Sequence, residues 1–185
     1  VETLLLNYSG VGAQSVTLAA AAITAGLSTV NAANATDAVT VDAGSFSNAL
    51  AITTGSGNDV IDLGGGINVV VTGAGSDTVN GALTASDTID LGDDNDTFDY
   101  RVTALGNVVD GGAGTGDTIT YSGAGDAFDF SLTTDNMGTE FGIYRNFENL
   151  AASGATGAIT AIAASGGSSI TTGNGAYVDI ITLGA

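Results

Sequence analysis

Aspartate recurs inside glycine-rich turns through the middle of this sequence, at Asp59, Asp77, Asp87, Asp96, Asp117 and Asp126, with Asn68 standing in one such slot. Carboxylates held at a fixed spacing beside turns that expose backbone carbonyls are hard oxygen ligands. Ca2+ takes about six to eight of them at roughly 2.3 to 2.6 Å, whereas Mg2+ insists on octahedral geometry and keeps its water. The chain has no Cys and no His, which removes disulfides, a conventional zinc site, a cysteine nucleophile and any imidazole triad. Oxygen is all it offers a metal.

The elements that must carry these aspartates are written in units of about nine residues. Residues 54–62 read TGSGNDVID, 63–71 read LGGGINVVV and 72–80 read TGAGSDTVN. Gly, Gly, Asp or Asn, and an aliphatic residue thus recur in register. Residues 81–90 lose the turn glycines but keep Asp87 and Ile89, and 91–99 read LGDDNDTFD. After an eroded stretch the pattern returns in DGGAGTGDTIT at 110–120 and YSGAGDAFD at 121–129. Glycines spaced by one residue let the chain turn tightly, and the x-U-x that follows is a strand too short to stand alone. Two units make one coil of about eighteen residues, stacked on its neighbour at roughly 4.8 Å. Ile61, Val70, Val79, Ile89, Phe98, Ile119 and Phe128 are expected to point inward.

The expected architecture is all-β, a right-handed parallel β-solenoid of β-helix or β-roll type, with a short helix or cap near residues 18–27. Residues 1–53 read as solenoid without acidic turns, with strands near Val30, Val39 to Val41 and Leu50 to Ile52. Residues 54–129 carry the acidic repeats, 130–150 read as an irregular linker, and 151–185 as resumed coils around Ile159 to Ile162, Ile170 and Val178 to Ile181. On this register Asp59 and Asp77, eighteen residues apart, sit one above the other. Asn68 and Asp87 form a column on the opposite side. Stacked carboxylates repel by somewhat under about 1 kcal/mol per pair in water, and by several times that at lower dielectric. A shared Ca2+ reverses the sign.

These residues resemble the GGxGxDxUx nonapeptides of the RTX, or repeats-in-toxin, family of calcium-binding β-rolls. The resemblance covers about residues 54–129. It assigns Ca2+-ligand roles to Asp59, Asp77, Asp87, Asp96, Asp117 and Asp126, with carbonyls at Gly55, Gly57, Gly73 and Gly75 completing the shells. The candidate set extends to Asn68 and Asp94 and to the turn glycines Gly64, Gly66, Gly112, Gly114 and Gly123. Several ions are implied rather than a full ladder, because Asn68 replaces an Asp and residues 100–109 carry no motif. YRNFENL at 144–150 is similar to the xNxENL phrase that links repeat blocks in RTX surface-layer proteins and adhesins. By the same resemblance the chain is a secreted, cell-surface structural protein that leaves by type I secretion machinery and self-assembles with other copies of itself, with a surface polysaccharide as an available anchor. The competing implication is a calcium-dependent secretion and folding module of a toxin, secreted hydrolase or adhesin.

Composition excludes several other classes. Two cations, Arg101 and Arg145, face twenty carboxylates, a formal charge of −18 that leaves no basic surface for nucleic acid or for anionic lipid headgroups. At 44% apolar residues the chain is nonetheless not a disordered acidic tail. The longest apolar stretch, around Leu18 to Leu27, is broken by Thr24 and Gly26, so no transmembrane segment is expected. Without Lys or GxGxxG spacing there is no nucleotide loop. The Asp93, Asp94, Asp96 and Asp99 cluster lacks the glycine and terminal glutamate of an EF-hand, and no carboxylate pair stands out as a glycosidase pair, so the chain reads as non-enzymatic. Tyr8, Tyr100, Tyr121, Tyr144 and Tyr177 share no register and read as packing residues. No single Thr column persists from coil to coil in the sequence, which argues against an ice-binding face.

Overall fold

The computed structural model describes residues 2–6, 12–81, 83, 86–101, 106–124, 126–132, 134, 135, 142–173 and 176–184. Its strands are β1 (Glu2–Leu5), β2 (Gln14–Thr17), β3 (Leu27–Asn31), β4 (Val39–Asp42), β5 (Ala51–Thr53), β6 (Val60–Leu63), β7 (Val69–Val71), β8 (Thr78–Gly81) and β9 (Thr88–Asp90). They continue as β10 (Thr97–Tyr100), β11 (Asn107–Asp110), β12 (Thr118–Tyr121), β13 (Asp126–Asp129), β14 (Gly142–Arg145), β15 (Asn149–Ala152), β16 (Ile159–Ile162), β17 (Ile170–Thr172) and β18 (Ile180–Thr182). The helix α1 is Ala20–Thr24, inside the stretch expected to hold a helix or cap.

Each strand is only three to five residues long, so none is stable until the next coil pairs with it. Pairing is parallel throughout. One seven-stranded sheet runs β1-β3-β5-β7-β9-β11-β14, a second of eight strands runs β2-β4-β6-β8-β10-β12-β15-β17, and β13-β16-β18 form a third. From β1 to β12 alternate strands fall in alternate sheets, which is the β-solenoid read from the repeat.

Within a strand the burial alternates, as in Val60–Leu63 and Thr97–Tyr100, because successive side chains leave opposite faces. The seven residues expected to point inward are all at most 1% exposed. The register stacks Val41, Ile61, Val79, Phe98, Ile119 and Leu150 along one sheet and Val30, Ile52, Val70, Ile89, Val109 and Tyr144 along the other. Each such side chain contributes roughly 1.5 to 3 kcal/mol by burial.

Rings fill the space where the third sheet begins. Tyr100 lies 5.2 Å from Tyr144 and 5.5 Å from Tyr121 between ring centroids, and Tyr121 lies 5.4 Å from Phe128. Packing is thus the role of Tyr100, Tyr121 and Tyr144, all buried, while Tyr177 is exposed and Tyr8 lies outside the described residues. The stretch read as an irregular linker contains β14 and the start of β15. Tyr144 and Leu150 are buried in the two main sheets, so after β13 the chain returns to them there without glycine turns to announce it.

The register aligns Thr78, Thr97 and Thr118 in three successive coils between Val60 and Asn149, a run too short to overturn the reading that no Thr column persists from coil to coil. Ser15, Thr40, Val60, Thr78, Thr97 and Thr118 lie side by side in successive coils of the second sheet. Unequal coil lengths hide this column from any search at constant period. The neighbouring column, Asp42, Asp62, Asn80, Asp99 and Thr120, is acidic and bonded within itself: Asn80 Nδ2 donates to Asp62 at 2.9 Å, and Thr120 donates to Asp99 at 3.3 Å. Among the described residues no helix is long and apolar enough to cross a membrane.

Candidate metal centre

Asp59, Asp77, Asp96 and Asp117 each stand immediately before a strand of the second sheet, namely β6, β8, β10 and β12. Since Ile61 pairs with Val79, Val79 with Phe98, and Phe98 with Ile119, the four aspartates fall on one line. All four residues are at most 1% exposed. A buried carboxylate is costly unless hydrogen-bonded, and here the backbone supplies the donors. Val39 N–H donates to Asp59 Oδ1 at 2.7 Å, Asp59 N–H to Asp77 Oδ1 at 2.7 Å, Asp77 N–H to Asp96 Oδ1 at 2.7 Å and Asp96 N–H to Asp117 Oδ1 at 2.8 Å. The ladder ends on a residue that the nonapeptides do not contain, with Asp117 N–H donating to Glu148 Oε2 at 3.0 Å.

That ladder uses one oxygen of each aspartate. The other, Oδ2 of Asp59, Asp77, Asp96 and Asp117, is buried with no hydrogen-bond partner. The Thr54 and Thr72 hydroxyls and the Gly55 and Gly114 amides lie near the carboxyls of Asp59, Asp77 and Asp117 and favour their ionised form, but the two hydroxyls make their short bonds to the Thr72 carbonyl at 2.8 Å and the Leu91 carbonyl at 2.6 Å. Burial pushes all four carboxyls above the usual range, Asp77 and Asp117 to about 6 and Asp96 to about 8. At Asp96 the neighbouring Asp77 and Asp117 charges add to burial, which is the repulsion expected of a carboxylate column. Four unpartnered anionic oxygens in a row are a donor set that a hard divalent cation fits.

The turns preceding these aspartates are shaped by close approach. Gly73, Gly75, Gly92 and Gly112 all have φ between +93° and +108°. A Cβ on Gly75 would collide with the Gly57 carbonyl, and one on Gly114 with the Asp94 carbonyl and both carboxylate oxygens of Asp117. The space beside the column is thus kept for oxygens. Carbonyls of Gly55, Gly73 and Gly92 already accept the amides of Ala74, Asp93 and Ala113 at 2.7 to 3.0 Å, leaving each a second lone pair. Asp94, itself at φ +78°, adds its charge to the repulsion felt by Asp77 and Asp96. Among the described residues no three carboxylates converge on one point. A cation here would draw on adjacent coils, one carboxylate from each, and on turn carbonyls.

The remaining candidates fall elsewhere. Asn68, Asp87 and Asn107 form a separate buried column on the first sheet, where Asn68 N–H donates to Asp87 Oδ1 at 2.6 Å and Asp87 N–H to Asn107 Oδ1 at 2.9 Å. Gly64 and Gly66 belong to that side. Gly64 packs against the Phe46 and Ala43 carbonyls, and the Gly66 carbonyl accepts from Asn68 Nδ2 at 3.2 Å. Asp126 opens β13, opposite Ile159 in the third sheet, and Gly123 packs against the Tyr121 ring, so neither joins the acidic column. After Tyr121 the chain leaves the two-sheet rhythm: β13, which carries Asp126, opens the third sheet, and the next rung of the acidic column is Glu148, just before β15. The signal for Glu148 is present in the sequence: Glu148-Asn149-Leu150 has the acid-x-aliphatic spacing of Asp59-Val60-Ile61.

Comparison of the chain with protein-family models, with curated proteins and with solved structures finds no match.

Proposed function

We propose that this chain is a non-enzymatic, calcium-binding solenoid of RTX type, a structural segment of a bacterial surface layer or extracellular fibre that folds and assembles when it meets Ca2+ outside the cell. The observation that carries the reading is the row of four buried, unpartnered Oδ2 atoms on Asp59, Asp77, Asp96 and Asp117. Between Asp59 and Asp129 there are thirteen acidic residues and one Arg. At low calcium that stretch repels itself, which suits export as an unfolded chain; at millimolar calcium the ion binds the folded state alone and stabilises it by mass action. When bound, Ca2+ would supply the positive charge that the column lacks. The chain's own residues set the spacing: strands fix one carboxylate per coil, amides hold Oδ1, and glycine turns bring carbonyls close.

Two described surface grooves carry carboxylates. One of about 410 Å3 is lined by Asn80, Thr97, Thr120 and Asp99, the last paired with Arg101, and one of about 510 Å3 contains Asp93 as its single carboxylate.

Circular dichroism of the chain, titrated with CaCl2 after EDTA, tests the folding half of the proposal, and electron microscopy of the same samples tests assembly. β-Signal that appears with calcium, together with sheets or fibres, is the expected result. Calcium-dependent folding to a monomer would favour the secretion-module alternative, and β-signal indifferent to chelation would sink the proposal.

A further inference from the structure

We propose that the acidic column holds one cation more than its repeats supply, between Asp117 and Glu148, so that the 144–150 segment is itself part of a metal site. This rests on the calcium reading above. Thr118 pairs with Asn149 and Ile119 with Leu150, which sets Glu148 opposite Asp117 in the same register as Asp77 opposite Asp59. The two residues clasp each other. Asp117 N–H donates to Glu148 Oε2 at 3.0 Å, while the Glu148 and Asn149 amides both donate to the Asp117 carbonyl, at 3.0 and 2.9 Å.

Asp117 is fully buried, and its Oδ2 has no partner. That oxygen lies over Gly114, where the Asp94 carbonyl also points and where no side chain could fit. The protein supplies no counter-charge, because its two arginines are paired with Asp99 and with Asp110. Two carboxylates from consecutive rungs, a free buried oxygen and a turn carbonyl match the donor set available at each pair of rungs above. The thirty-one-residue step from Asp117 to Glu148 spans β13 and the third sheet's start, so an ion here would tie β15 and β17 to the repeat block.

Equilibrium dialysis of Ca2+ against the whole chain compares wild type with Glu148→Gln, which keeps the acceptor oxygen but removes the charge, and with Asp126→Asn as control. Glu148→Gln is expected to bind one ion fewer, or one ion at least tenfold more weakly, and Asp126→Asn to match wild type. Hydrogen exchange of the wild-type chain needs no variant: calcium is expected to slow the amides of residues 149–152 together with those of β6 and β8. Unchanged ion number and affinity in Glu148→Gln, or protection of β6 and β8 without residues 149–152, would overturn the Glu148 site alone. A wild-type chain that binds no calcium would instead fail the reading of the entire column.

Discussion

The two sides of the solenoid use the same motif position differently. On the second sheet every rung from Asp59 to Glu148 carries a carboxylate, and each of the four aspartates keeps a buried oxygen without a partner. On the first sheet Asp87 sits between Asn68 and Asn107, its Oδ1 takes the Asn68 amide, and its own amide is taken by Asn107. Both columns have the backbone ladder, so the ladder by itself does not mark a metal site. What differs is charge. One anion between two neutral amides is a satisfied structural rung, whereas four consecutive anions leave an electrostatic deficit that only protons or cations can remove. On the proposed reading, whether an Asp at this motif position takes a cation is decided by what occupies the coils above and below it.

The comparison breaks most severely if the neutral column is made acidic. Asn68→Asp with Asn107→Asp places three carboxylates in a row on the first sheet and turns the Asn68 donor that meets the Gly66 carbonyl into an acceptor. Destabilisation of about 3 to 5 kcal/mol is expected in EDTA, read by urea denaturation, with partial recovery in CaCl2 if the glycine turn there can also supply carbonyls. Next in size, Asp96→Asn should weaken calcium binding by about tenfold, or about 1.4 kcal/mol. In EDTA the same variant should melt about 2 to 4 °C higher, because it removes the most strongly repelled carboxylate and keeps the amide acceptor. Calorimetry and thermal melts would read those opposite signs.

Proton linkage sharpens the contrast further. The column's carboxyls rise from roughly 4 when unfolded to about 6 at Asp77 and Asp117 and about 8 at Asp96. Raised folded values mean that the folded state binds more protons, so in EDTA stability is greatest below about pH 4 and falls as pH climbs through 6 and 8. Saturating calcium competes with those protons and should flatten or reverse the slope, as Tm against pH with and without calcium would show. The smallest effect is expected at Asp87→Asn, about 1 kcal/mol or less, with calcium affinity unchanged.

Much of this was legible in the sequence. The acid-x-aliphatic unit places Ile61, Val79, Phe98 and Ile119 in the core and Asp59, Asp77, Asp96 and Asp117 in one line, because strand alternation and strand pitch leave no other register that buries the aliphatic residues. What escaped depends on coil length. Steps of eighteen, nineteen and twenty-one residues separate the four aspartates, and the step of thirty-one to Glu148 defeats a fixed period, so Glu148 is missing from the candidate set. The same irregularity concealed the Ser15 to Thr118 column. The donation of each amide to the next carboxylate is likewise invisible from residue types, since it depends on the rise between turns rather than on spacing along the chain.

The central claim is that the orphaned oxygens of the second-sheet column hold cations while Asp87 does not. A crystal structure grown in CaCl2, with anomalous data collected to locate calcium, tests it most directly. The account expects anomalous peaks within about 2.3 to 2.6 Å of the Oδ2 atoms of Asp59, Asp77, Asp96 and Asp117 and none beside Asp87. Well-ordered strands with no peak anywhere along Asp59 to Asp117, or a peak at Asp87 equal to those on the other side, would contradict it.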